Sequence, residues 1–167
     1  MRKTVLFGLG RYACALLAVL SLVWLMPRGA KEVSFDALCA DVLDAAHPAD
    51  TAQAGAQMVR RLYALDEADY DGLILYYPVT NMGAEELCLV RVKDEAQLEA
   101  VQEAMQARLD TQTNVFAGYA PEQYDLCVNH SAVVTGGLDV MLVIGEGKDA
   151  AVAAFTAAHG EGGRLWP

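Results

Sequence analysis

The stretch that decides the fold is Gly72-Leu-Ile-Leu-Tyr-Tyr-Pro-Val79, then Thr80-Asn-Met-Gly-Ala-Glu-Glu86, then Leu87-Cys-Leu-Val-Arg-Val92. The first and third pieces are rich in β-branched and aromatic residues and read as strands. Pro78 lacks an N–H, so it marks a strand end or a sheet edge. The middle piece is a polar elbow. After Val92 the period changes. Asp94-Glu95-Ala96-Gln97 has the form of a capping box, and Leu98, Val101, Met105 and Leu109 recur at helical spacing. This helix is expected to run to about Phe116, with Gly118 closing it. The reading is strand, elbow, strand, helix.

The same unit recurs further on. Ala132 to Thr135 and Leu138 to Ile144 flank Gly136-Gly137, a two-residue hairpin signal. Val140 to Ile144 is apolar on both faces, which predicts a central, well-covered strand. Asp149 to His159 reads as the last helix, with Gly160 beyond its end. Two ββα units, at 73–110 and 132–158, predict an α+β fold. Its sheet would be four-stranded and mainly antiparallel, with helices on one face.

Two helices are expected before the first unit. One starts at Ser34, a good N-cap, and buries Phe35, Leu38, Cys39, Val42 and Ala46. His47-Pro48 ends it. The second spans Thr51 to about Leu65. Tyr119 to Tyr124 reads as a short-helix entry with Pro121 in the first turn.

Charge divides the chain. Residues 1–31 hold five basic residues and no acid; the rest holds 7 basic and 22 acidic residues, a formal charge of 7 − 22 = −15. Thr4 to Met26 is apolar except for Arg11, close to the roughly 20 residues that cross a bilayer. Residues 1–31 are therefore expected to be an uncleaved, single-pass membrane anchor and its flank. Residues 32–160 would be one extracytoplasmic domain, and 161–167 a flexible tail. So acidic a domain repels phosphate backbones, which excludes nucleic acid as a partner. The membrane and an envelope protein or small ligand remain as partners.

Chemistry-bearing motifs are sparse. Asn81, Glu85 and Glu86 in the elbow, with Tyr119 and Glu122, are the candidate binding residues. The carboxylates could serve acid–base work, but Glu85 and Glu86 alternate across a strand, so only one can face any pocket. Arg108 could ion-pair with Glu85, Glu86 or Glu122. Glu67, Asp69, Asp71 and Gly72 resemble the start of a calcium loop, yet its twelfth position is Pro78 rather than a glutamate. Cys39, Cys88 and Cys127 form no CxxC pair and are expected to be buried thiols; a Cys39–Cys127 disulfide is the alternative. His47, His130 and His159 lack metal-ligand spacing. No phosphate loop, nucleophile elbow or dinucleotide fingerprint is present. No catalytic residue, metal or cofactor is expected.

Asn81-Met82 followed by Ala84-Glu85-Glu86, Arg108 in the long helix, and Tyr119, Pro121 and Glu122 carry a resemblance. With the hairpin ending in Val140 to Ile144, they resemble the bacterial family called domain of unknown function 4358, over roughly residues 34 to 158. The resemblance implies export behind a leader, and no reaction. Members that carry a lipobox differ from this chain, which has no cysteine just past its apolar run. The function expected is a non-catalytic, membrane-tethered binding module. An envelope enzyme using an elbow carboxylate, and a calcium-dependent module at Asp66 to Asp71, are the alternatives.

Overall fold

The structure, a computed structural model, describes residues 33–160 and 164–165. The expected anchor at residues 1–31 lies outside them. Among the described residues no helix is long and apolar enough to cross a membrane.

The chain runs α1 (Phe35–Ala46), β1 (Thr51–Gln53), α2 (Ala56–Tyr63), β2 (Gly72–Pro78), β3 (Glu86–Arg91), α3 (Leu98–Phe116), α4 (Pro121–Asn129), β4 (Ser131–Gly136), β5 (Asp139–Ile144), α5 (Lys148–His159) and β6 (Arg164–Leu165). The fold is α+β. All strands form one sheet in the order β1-β2-β3-β5-β4-β6, and every pairing is antiparallel. The four strands expected from the sequence are its centre.

The sheet is wider than four strands, because Thr51–Gln53 is not helical. These residues pair with Pro78, Tyr77 and Tyr76. The expected helix from Thr51 to Leu65 is thus a strand followed by a shorter helix. The chain cannot run on helically here. His47 and Asp50 have φ of 43° and 50°, in the left-handed region. They turn Thr51 onto the edge of β2, and Asp50 accepts a backbone bond from Val79. Within the stretch expected to be a loose tail, Arg164 and Leu165 pair with Thr135 and Val134.

Helices on one face is the second expectation the structure corrects. One cluster joins Val59 and Tyr63 of α2, Val101, Met105 and Phe116 of α3, and Leu126 and Cys127 of α4 to Cys88, Val90, Val140 and Leu142 of the sheet. A second joins Leu38 and Val42 of α1 and Phe155 of α5 to Leu87, Leu89, Met141 and Val143. These sheet residues alternate along β3 and β5, so the two clusters lie on opposite faces. The architecture is helix, sheet, helix. Burial on both faces explains why β3 and β5 read as continuous apolar runs. Val140 to Ile144 are all buried, as their two-sided hydrophobicity requires.

Local signals hold at most element ends. Ser34 Oγ accepts from Ala37 N at 3.3 Å and caps α1. Asp94 and Gln97 form the capping box, on a 3-10 turn leading into α3. The β4–β5 turn is Gly137-Leu138, one residue later than expected, since Gly136 pairs with Asp139. Gly137 supplies the positive φ of 56° that the first turn position needs.

On the α1–α5 face, Gly147 opens α5 against the end of α1. A Cβ there would overlap the Ala46 carbonyl oxygen. Backbone cannot give way as a side chain can, so Gly147→Ala is expected to cost about 2 kcal/mol. Gly55→Ala, with open space around the added methyl, should cost less than about 1 kcal/mol at its N-cap position. Thermal melts of the two variants check this; equal losses would contradict the close approach.

Candidate functional site

The elbow between β2 and β3 is tied down at three points. Glu85 Oε2 accepts from Ala49 N at 2.6 Å, holding the loop after α1. Ala84 N donates to Gln123 Oε1 of α4 at 2.8 Å. Glu86 is fully buried on the other face. Its carboxylate accepts from Arg108 Nε at 2.9 Å and Nη2 at 2.5 Å, and from the Tyr63 hydroxyl. Strand alternation sends the two adjacent carboxylates to opposite sides.

The Glu86–Arg108 pair is internal: Arg108 has a side-chain exposure of 10% and Glu86 of 0%. Burial and the Glu86 charge and hydrogen bond push the Tyr63 hydroxyl well above its ordinary value. Burial would lower Arg108, but the Glu86 hydrogen bond and charge prevail and raise it. The trio is therefore a neutral phenol, a carboxylate and a guanidinium, each matched to a partner.

A second charged network sits on the opposite face. Asp139 accepts from Arg91 Nε at 2.7 Å and Nη2 at 2.6 Å. His159 Nε2 lies 2.8 Å from Asp139, and its Nδ1 lies 2.8 Å from the Phe155 carbonyl. Both partners are acceptors, and a neutral imidazole has one N–H. The imidazolium satisfies both. Arg91 also donates to the Val33 carbonyl at 2.9 Å and lies over the Phe35 ring, 5.5 Å from its centroid. Sequence reading placed His159 at a helix end and Arg91 on a strand with Leu87 and Leu89 on the same face, and left Asp139 unremarked. Their signal was present: two charges inside otherwise apolar strands.

The candidate residues do not converge. Asn81, Tyr119 and Glu122 are exposed. Asn81 does not organise the turn, where Thr80 Oγ1 accepts from Met82 N at 3.3 Å instead. Tyr119 packs its ring on Phe116, with centroids 5.9 Å apart. Glu122 lies in the first turn of α4, after Pro121. Glu85 and Glu86 serve as internal ties.

Asn81 does line an open cleft of about 410 Å³, together with Arg61, Tyr77, Arg108, Gln112 and Phe116. Sequence reading missed Gln112 because it falls on the helical stripe, where an apolar residue was expected.

Cys39, Cys88 and Cys127 are free thiols. Cys39 packs with the α1–α5 cluster and the other two with the opposite one, so the sheet separates Cys39 from Cys127. Burial, with nearby Asp36 and Asp139, pushes Cys39 up to about 12. Burial raises Cys88 and Cys127 as well. Protonated thiols are poor nucleophiles. Asp66 accepts from Arg60 Nε at 3.1 Å and caps a 3-10 turn at Glu67–Asp69, which is a structural use of the acidic loop. Among the described residues no group of three His, Cys, Asp or Glu side chains could hold a metal.

The family model described as domain of unknown function (DUF4358) matches residues 45–145. The chain belongs to this family. The match spans the elbow, the buried Glu86–Arg108 pair and the whole β4–β5 hairpin. No curated protein and no solved structure gave a significant match.

Glu86→Ala strands the Arg108 charge and should cost about 3–5 kcal/mol. The triple change Tyr63→Phe, Glu86→Leu, Arg108→Met leaves no orphaned charge and should cost less than that single change in denaturant titrations. For the second network, burial would lower His159, but the Asp139 hydrogen bond, the Phe155 carbonyl and the Asp139 charge raise it. Burial would raise Asp139, but hydrogen bonds from His159 and Arg91 lower it. The His159 contribution is full below its unfolded value of about 6.5 and fades as pH rises through the raised one. The Asp139 contribution is full above about pH 4 and fades as pH falls through the lowered value. The melting-temperature gap between the wild type and His159→Leu should therefore narrow as pH rises above about 6.5. A constant gap would show that no imidazolium holds α5.

Proposed function

We propose that this protein is a non-catalytic binding module of the bacterial cell envelope. An N-terminal membrane segment tethers it, and the acidic domain stands outside the cytoplasm. Its contact surface is the elbow and the Tyr119–Tyr124 segment. The anchor rests on the apolar run Thr4 to Met26 with its basic flanks. The strongly acidic remainder suits a soluble domain that avoids anionic lipid and nucleic acid.

The observation that carries the reading is how the elbow spends its carboxylates. Glu85 holds a backbone N–H and Glu86 holds Arg108 and Tyr63. A general acid or base needs a free lone pair or proton within reach of a substrate; Glu86 is fully buried on its two partners, and Glu85, half-buried, holds Ala49 N with one of its oxygens. What remains outward at the elbow is Asn81 and the exposed apolar side chains Val79 and Met82; Val115 and Tyr119 are exposed near the end of α3. Polar and apolar surface without a charged reactive group suits recognition rather than turnover.

The test is crosslinking of the full-length chain in native membranes, followed by mass spectrometry. The expected result is an intact N-terminus in the membrane fraction and crosslinks to one neighbour from the elbow region. Asn81→Ala and Tyr119→Ala, both at exposed positions, should shift stability by less than about 0.5 kcal/mol and lose that crosslink. A processed N-terminus in a soluble fraction would overturn the tether. Crosslinks confined to the α1–α5 face would overturn the placement of the surface.

A further inference from the structure

We propose that the cleft beside the elbow is a binding site for a small organic carboxylate with an apolar body, received by Arg61, Gln112 and Asn81. The inference rests on the binding-module reading and names the ligand chemistry of that surface.

Gln112 is the decisive residue. It is 6% exposed and lines the cleft. Buried polar groups are almost always paired, yet among the described residues the Gln112 side-chain amide has no hydrogen-bond partner. Gln102, the other buried glutamine of α3, shows the ordinary arrangement: its Nε2 donates to Thr135 Oγ1 at 2.5 Å. No side-chain nitrogen or oxygen among the described residues is both sealed from solvent and unpaired. The Gln112 amide therefore opens into the cleft, where an incoming ligand can meet it. There the amide meets water, which a ligand's polar group would displace while making the same hydrogen bonds.

Charge selects the ligand class. The domain is strongly acidic, yet no Asp or Glu lines this cleft, while Arg61 and Arg108 do. Glu86 occupies the Nε and Nη2 edge of Arg108. Arg61 is exposed and forms no ion pair or hydrogen bond among the described residues. A guanidinium is always charged and offers a fork that fits a carboxylate. Asn81 brings a second amide with no internal duty. The donors thus number one unspent cation and two neutral amides. That set suits a singly charged carboxylate better than a doubly charged phosphate, which calls for several cations. Val79 and Val115, both exposed, also line the space, so the ligand's body is apolar. About 410 Å³ lies toward the small end of ligand pockets and sets the size of the guest.

The experiment is an NMR titration of the isotope-labelled full-length chain in lipid nanodiscs. The probes are phenylacetate, phenylacetamide and inorganic phosphate. Phenylacetate should shift the Gln112 side-chain amide saturably. Phenylacetamide, which keeps the ring and loses the charge, should bind at least about tenfold more weakly. Arg61→Gln and Gln112→Leu should each weaken phenylacetate about tenfold, while Glu99→Gln, at an exposed position away from the cleft, leaves it unchanged. Arg61 is exposed, so its variant folds even if Gln112→Leu does not. Equal binding of phenylacetamide, displacement of phenylacetate by phosphate at the same concentration, or no saturable shift at Gln112 would each overturn the inference. The crosslinking result is independent: a neighbour found at the elbow with no carboxylate binding leaves the module reading standing and removes this one.

Discussion

Strands β3 and β5 lie side by side at the centre of the sheet, covered by helices on both faces, and everything else in the domain answers to that. A strand buried on two sides cannot place a charged residue facing water. Glu86 and Arg91, at the two ends of β3, must each find a partner inside. Glu86 faces the α2–α3–α4 layer and meets Arg108 and Tyr63. Arg91 faces the α1–α5 layer and meets Asp139, which β5 places directly opposite it. The partner helices are positioned as much by these charges as by the apolar clusters around them.

Buried ion pairs are a weak source of net stability, since desolvation consumes most of the attraction. Their value lies in what they forbid. Sliding β3 by one residue would send Glu86 into the apolar α1–α5 cluster and Arg91 away from Asp139. Each misplacement leaves a bare charge in a low-dielectric interior, at a cost of several kcal/mol. The two networks thus fix the register of the central pair, which a uniformly apolar strand specifies less sharply.

The same logic sorts the elbow. Its ties reach Ala49 in the loop after α1, Gln123 in α4 and Arg108 in α3. One short loop therefore locks elements from both helical layers. The residues it leaves unspent are Asn81 and its apolar neighbours. They border the cleft into which the Gln112 amide opens. Rigidity around the loop holds that surface in one shape before any ligand arrives, which lowers the entropic cost of binding.

The local elements were legible in the sequence. It placed the Ser34 cap, the Asp94–Gln97 box, the long helix from residue 98, the hairpin and the all-apolar β5, because each rests on contacts within a few residues. It also separated Glu85 from Glu86, since alternation along a strand is geometry. The rest depended on contacts between distant parts of the chain. β1 exists because the edge of β2 accepts Thr51–Gln53, a pairing across some 25 residues that no local period encodes. The two-sided layering followed from where α1 and α5 dock, and an apolar strand run does not say which side its cover comes from. Arg108 was legible as a charge seeking an acid, but which acid depended on the side of the sheet its helix took. Gln112 was legible only as a polar residue on an apolar stripe; whether it would find a partner or an opening was settled by the elbow folding over α3.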